Sequence, residues 1–107
     1  MNYNIKSLPK FDKNLKALSK KYPSLKAEFI ELVNSLKKNP TQGISLGNNC
    51  YKIRLAIASK GKGRSGGARV ITNIKISNNI IYLLTIFDKT DQDTISDKEL
   101  KELLSEI

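Results

Sequence analysis

The chain has no histidine among its 107 residues, which removes the side chain whose unperturbed pKa suits proton transfer near neutrality. Any acid–base chemistry must draw on lysine, tyrosine or a carboxylate, helped by plain charge stabilisation. Histidine is absent and cysteine occurs once, so only carboxylates remain as good metal ligands, and neither a metal site nor a cofactor is expected. The lone Cys50 cannot form an internal disulfide, which fits a reducing cytoplasm. No segment approaches the roughly 18 consecutive apolar residues of a membrane helix. The opening residues lack the apolar run of a secretory signal. A cytoplasmic protein without membrane association is the expectation.

Acidic residues are missing from one long segment. Between Glu31 and Asp88 there is no Asp or Glu, yet Lys37, Lys38, Lys52, Arg54, Lys60, Lys62, Arg64, Arg69 and Lys75 fall there. Outside it, cations and carboxylates balance, so this segment alone supplies the formal net charge of +9. A one-sided field of this kind attracts polyanions, nucleic acid first among them. The cations concentrate in and beside the loop from Ala58 to Arg69, which reads as a phosphate-binding surface. Lysines that merely kept the chain soluble would be interspersed with acids.

What is present suits one domain spanning residues 1–107, with 39% apolar and 27% charged residues. Tyr3 and Ile5 alternate with polar neighbours, the period of a short half-buried strand. Pro9 suits the first turn of a helix, and Phe11, Leu15, Leu18 and Tyr22 recur at helical spacing behind it. Ser24 is placed to cap a second helix, which buries Leu25, Phe29, Leu32, Val33 and Leu36 and stops before Asn39-Pro40. A loop then runs from Asn39 to Asn49.

Three strands follow. Tyr51, Ile53, Leu55 and Ile57 point one way, Lys52 and Arg54 the other. Val70, Ile74 and Ile76 alternate with Arg69, Asn73 and Lys75. After a turn at Ser77-Asn78-Asn79, Ile80 to Phe87 is almost wholly apolar, as in a strand covered on both faces. Ser96 and Glu99 form a capping box for a last helix carrying Leu100, Leu103, Leu104 and Ile107. The expected class is α+β in the order β-α-α-β-β-β-α, with one sheet face apolar against helices and the other strongly basic.

Gly61, Gly63 and Gly66 match the dinucleotide-binding spacing, but that pattern requires a helix after it, and Arg69-Val-Ile-Thr reads as a strand. The glycines instead suit a cationic hairpin loop bringing its backbone close to a phosphate chain. Tyr51 and Tyr82 fall on apolar faces and read as core, and Cys50 as a small buried hydrophobe. Asp88-Lys89 reads either as a plain strand terminus or as a charge at the edge of the basic face. The tail from Asp88 to Ile107, rich in carboxylates, reads as a solvated helix face.

Three segments together carry a resemblance. They run from Leu46 through Asn48-Asn49-Cys50 to Arg54, from Lys60 through Gly66-Gly67-Ala68 to Thr72, and from Ile81 to Lys89, continued by Ile95-Ser96 and the leucine-rich last helix. The chain resembles, over essentially its whole length, the RelE/HigB-like toxins of bacterial type II toxin–antitoxin systems, in the RelE/ParE superfamily. The resemblance implies a small, antiparallel-dominated sheet with a helical hairpin on one face. It also implies an mRNA interferase acting on message in the ribosome and neutralised by a cognate antitoxin. By position, Lys52 and Arg54 match the family's strand cations, Arg69 the arginine opening the next strand, and Lys89 the cation after the last strand. Lys60, Lys62, Arg64 and Lys75 are placed as RNA or ribosome contacts. One departure stands out: RelE-like toxins carry a tyrosine near the C-terminus, where this chain has Thr94 or Ile95.

Metal-free cleavage would proceed by attack of a ribose 2′-OH on the adjacent phosphate, giving a 2′,3′-cyclic phosphate and a 5′-OH. It needs a base, charge on the phosphorane and an acid. Lys52 is the candidate base, Arg69 the candidate clamp on the nonbridging oxygens, and Arg54 and Lys89 add charge, with Lys89 the candidate acid. Two other readings compete: a ParE-like toxin that binds DNA gyrase and catalyses nothing, and a non-toxic RNA-binding module.

Overall fold

The computed structural model describes residues 3–61, 63 and 65–107. Its elements are β1 (Asn4–Ser7), α1 (Pro9–Lys21), α2 (Leu25–Lys38), β2 (Ile44–Gly47), β3 (Cys50–Leu55), β4 (Ala68–Lys75), β5 (Ile80–Asp88) and α3 (Asp97–Leu104). The strands form one sheet in the order β1-β5-β4-β3-β2. Only β1 and β5 pair in parallel; the other pairs are antiparallel.

The expected order holds with one addition. Ile44–Gly47, expected as loop, is a short edge strand paired with β3. Asn48 and Asn49 both take positive φ, 54° and 61°, as a two-residue hairpin turn of the primed kind requires, and asparagine tolerates that region better than most residues. The helix signals divide. Pro9 opens α1 as expected, and Ser96 accepts a hydrogen bond from the Glu99 amide at 3.1 Å. Ser24 does not cap α2: its backbone is helical, and its hydroxyl contacts Glu28 and Ser59 instead.

Strand alternation divides the core in two. Ile53, Ala68, Val70, Ile74, Ile81, Leu83 and Ile86 meet Phe11, Tyr22, Leu25, Leu32 and Leu36 of the helical hairpin. On the other face, Cys50, Ile71, Leu84 and Phe87 meet Leu8, Ile95, Leu100 and Leu103. This corrects the expectation of a second face that is basic throughout. The leucine stripe of α3 must also leave water, and Ile71, Leu84 and Phe87 give it a surface. The register steps from Ile71↔Thr85 to Thr72↔Leu83, so Leu84 is the extra residue of a β-bulge that bends β5 at the α3 contact. Ile76, expected on the strand, lies beyond it in a 3-10 turn and is 65% exposed.

Candidate nucleic-acid interface

β3 and β4 pair with Arg54 directly opposite Arg69 and Lys52 opposite Ile71. Residues directly opposite on adjacent strands share a face, with Cβ atoms about 5 Å apart. Lys52, Arg54 and Arg69 are therefore neighbours on the α3 side of the sheet, at the end α3 leaves uncovered. Ala68 pairs with Asp88 at the end of β5, and the Lys89 amide donates to the Gly67 carbonyl at 3.1 Å. That bond brings Lys89 to the same end. The four residues expected to carry the chemistry thus fall together.

Their environments differ. Arg54 and Lys89 are exposed, and neither side chain has a hydrogen-bond or ion-pair partner among the described residues. Arg69 is only 2% exposed. Its Nε donates to Asp93 Oδ1 at 3.2 Å, and its Nη2 lies 3.0 Å from the same oxygen. Further donations run from Nη2 to the Ser65 carbonyl at 3.1 Å and from Nη1 to the Ala68 carbonyl at 3.2 Å. Lys52, half-buried, donates from Nζ to the main-chain oxygen of Asp93 at 3.2 Å. One acidic residue therefore faces both inner cations.

The expected contact residues separate. Lys75 shares the face of Arg69 but stands six residues further along β4, about 20 Å away, and does not join the cluster. Lys62 and Arg64 lie outside the described residues. Lys60, expected to be a free contact, points inward: its Nζ is 2.5 Å from Asp88 Oδ1 and 2.8 Å from Thr90 Oγ1. Asp88 is the reason. Its side chain is fully buried at the end of β5 and also accepts from the Tyr22 hydroxyl at 2.6 Å and the Thr90 amide at 2.9 Å. Burial opposes ionisation of this carboxyl, but hydrogen bonds from Lys60, Tyr22 and Thr90 outweigh it and hold the group well below the usual carboxylate range. Asp88 ties the end of α1, the start of the cationic loop and the turn after β5 into one knot. Lys60 is a structural cation.

Sequence reasoning missed Asp88 and Asp93 as parts of this site. The one signal for Asp88 was a carboxylate closing an otherwise apolar strand. Asp93 had none, since an acid in a carboxylate-rich tail looks solvated. Gly67 also has a different task from the one expected: a Cβ there would run into the Leu55 carbonyl oxygen, so it permits close strand crossing at the loop's exit. The tyrosines supply no substitute for the aromatic residue the resemblance implies. Tyr3 and Tyr51 pack on the hairpin-side core, Tyr82 joins the α3-side core, and Tyr22 is held by Asp88. Cys50 is buried, and burial raises its thiol pKa, the largest of its causes, which leaves it inert.

In chemical terms, the cluster offers a flat cationic end of a sheet suited to one or two phosphodiesters. No helix among the described residues is long and apolar enough to cross a membrane.

A family model described as the RelE toxin of the RelE/RelB toxin–antitoxin system matches residues 10–106. Among solved structures, an arginine-substituted mutant of the Escherichia coli toxin RelE in the free state superposes with a TM-score of 0.67 at 14% identity, covering 100% of this chain and 99% of that one. The RelBE2 toxin–antitoxin complex from Mycobacterium tuberculosis gives 0.58 at 14% identity, with 82% and 99% covered. The intact E. coli RelBE toxin–antitoxin complex gives 0.53 at 20% identity, with 80% and 95% covered. At these identities the structural matches establish the fold.

Proposed function

Because the chain belongs to the RelE toxin family, we propose that it is a toxin that cleaves messenger RNA on the ribosome without metal and is neutralised by a cognate antitoxin protein. The observation that carries this reading is the convergence of Lys52, Arg54, Arg69 and Lys89 at one uncovered end of the sheet. A surface built only to bind another protein has no need of four clustered cations. Complexes of similar toxins with their antitoxins support the partner.

In this proposal the reaction is transfer of the ribose 2′-oxygen onto the adjacent phosphorus, with loss of the 5′-oxygen of the next nucleotide. The base that takes the 2′ proton is Lys52, since histidine is absent and no tyrosine of the described residues stands at this end. Arg54 and Arg69 stabilise the charge on the phosphorane, which a planar, permanently charged guanidinium does well. Lys89, on the far side of Arg69, donates to the leaving oxygen. Lys62 and Arg64 extend the contact along the RNA or ribosomal backbone, and Lys75 makes at most a peripheral contact.

The test is cleavage of a defined message by purified protein with and without programmed ribosomes, mapping the new 5′ ends. The expected outcome is in-frame cuts that require ribosomes, leave 2′,3′-cyclic phosphate and vanish in Arg54→Ala. Intact message under both conditions overturns the proposal.

A further inference from the structure

The proposed phosphate clamp, Arg69, is almost entirely covered, and what covers it is an anion. Asp93 places one carboxylate oxygen against Nε and Nη2 of the guanidinium, the paired donors that a phosphate oxygen also uses. Its main-chain oxygen simultaneously takes the ammonium of Lys52. Resting on the reading above, we infer that Asp93 is a built-in competitor. In the free protein it fills the place on Arg69 that a substrate phosphodiester takes, and the segment from Lys89 to Ser96 forms a strap across the site.

The strap is built to move at low cost. Residues 89–96 contain no helix or strand, and Lys89 to Thr94 are exposed. The Asp93 side chain is 61% exposed although its partner is 3% exposed. The segment is anchored at its ends, by Asp88 with Thr90 on one side and by buried Ile95 and the Ser96 cap on the other. Between these anchors the main-chain atoms of Asp93 and Thr94 make no backbone–backbone hydrogen bond among the described residues. The middle of the strap is held on the site chiefly by the two cations it masks. Exposed segments with few backbone bonds open at small free-energy cost. A phosphate that displaces the Asp93 carboxylate exchanges one oxyanion for another, so Arg69 is never left unpaired.

A competitor of this kind lowers apparent affinity by the fraction of molecules in which the site is masked. The variant is Asp93→Asn. The control is Asp91→Asn, which makes the same charge change two residues away on the same exposed segment. The probe is a single-stranded oligonucleotide with methylated 2′-hydroxyls, which binds but cannot be cut. Binding is followed by fluorescence anisotropy at fixed salt, and thermal melting confirms folding of both variants. Asp93→Asn is expected to bind about fivefold more tightly than wild type, as loss of a half-exposed ion pair predicts. Asp91→Asn is expected to gain less than about twofold, the general field effect of one screened charge. Equal gains in the two variants, or none in Asp93→Asn, overturn the inference. Cleavage by the wild-type protein is read separately. A tighter Asp93→Asn in a protein that cuts no message upholds the masked anion site and removes the nuclease reading. Cleavage with equal gains does the reverse.

Discussion

Arg54 and Arg69 stand directly opposite one another on β3 and β4, yet Arg54 is exposed and Arg69 is 2% exposed. Like charges placed opposite on a sheet repel. The pair is tolerated because Asp93 and the Ser65 and Ala68 carbonyls receive one guanidinium while water receives the other.

That asymmetry separates the two arginines experimentally. Arg54→Ala is expected to lower message cleavage by about tenfold or more, with stability changed by less than about 0.5 kcal/mol, as for an exposed group whose loss relieves repulsion. Arg69→Ala is expected to lower cleavage and also to cost about 2 kcal/mol of stability, because the Ser65 and Ala68 carbonyls lose their donor. Denaturant titrations beside single-turnover cleavage distinguish them. Equal destabilisation by both substitutions contradicts the burial difference.

The knot at Asp88 makes a second prediction. Lys60→Met leaves a fully buried carboxylate without its cation and is expected to cost about 3 kcal/mol. Adding Asp88→Asn to that variant removes the stranded charge and is expected to restore most of the loss. Stabilities that simply add across this double-mutant cycle refute the coupling.

Acid titration should report the same carboxyl. Its folded-state pKa is depressed, so the unfolded chain binds the proton more readily than the folded one. The stabilisation is complete above the unfolded value of about 4 and is lost as pH falls from there toward the folded value. Wild-type stability should therefore decline below about pH 4 more steeply than that of Asp88→Asn, as read from urea midpoints across that range. Parallel curves exclude Asp88 as the source.

Lys75 and Lys89 offer a test of place rather than charge. Both are exposed lysines, but only Lys89 sits beside Gly67 at the clustered end. Lys89→Ala is expected to slow cleavage at saturating substrate, whereas Lys75→Ala should leave that rate within about twofold and alter only the salt dependence of binding. Equal losses at both positions point to a diffuse field rather than a site.

Much of the fold was legible in the chain because local rules govern it. Pro9 and Ser96 mark helix starts, the alternation from Tyr51 to Leu55 marks a strand with two unlike faces, and the apolar run from Ile80 to Phe87 marks a strand covered twice. The edge strand at Ile44–Gly47 escaped because four residues with two glycine neighbours carry too little pattern. Its turn rests on two asparagines rather than the more familiar Asn-Gly.

The sequence by itself determined the segregation of charge, the faces on which Lys52, Arg54 and Arg69 stand, and the apolar stripes that cover each side of the sheet. All of these follow from residue type and period alone. Only the tertiary structure decided which cations remain free. Lys60 meets Asp88 across 28 residues and Arg69 meets Asp93 across 24. Whether such distant charges touch depends on how the loop after β3 closes and where α3 docks. Those placements are set by packing, and no periodicity in the chain encodes them.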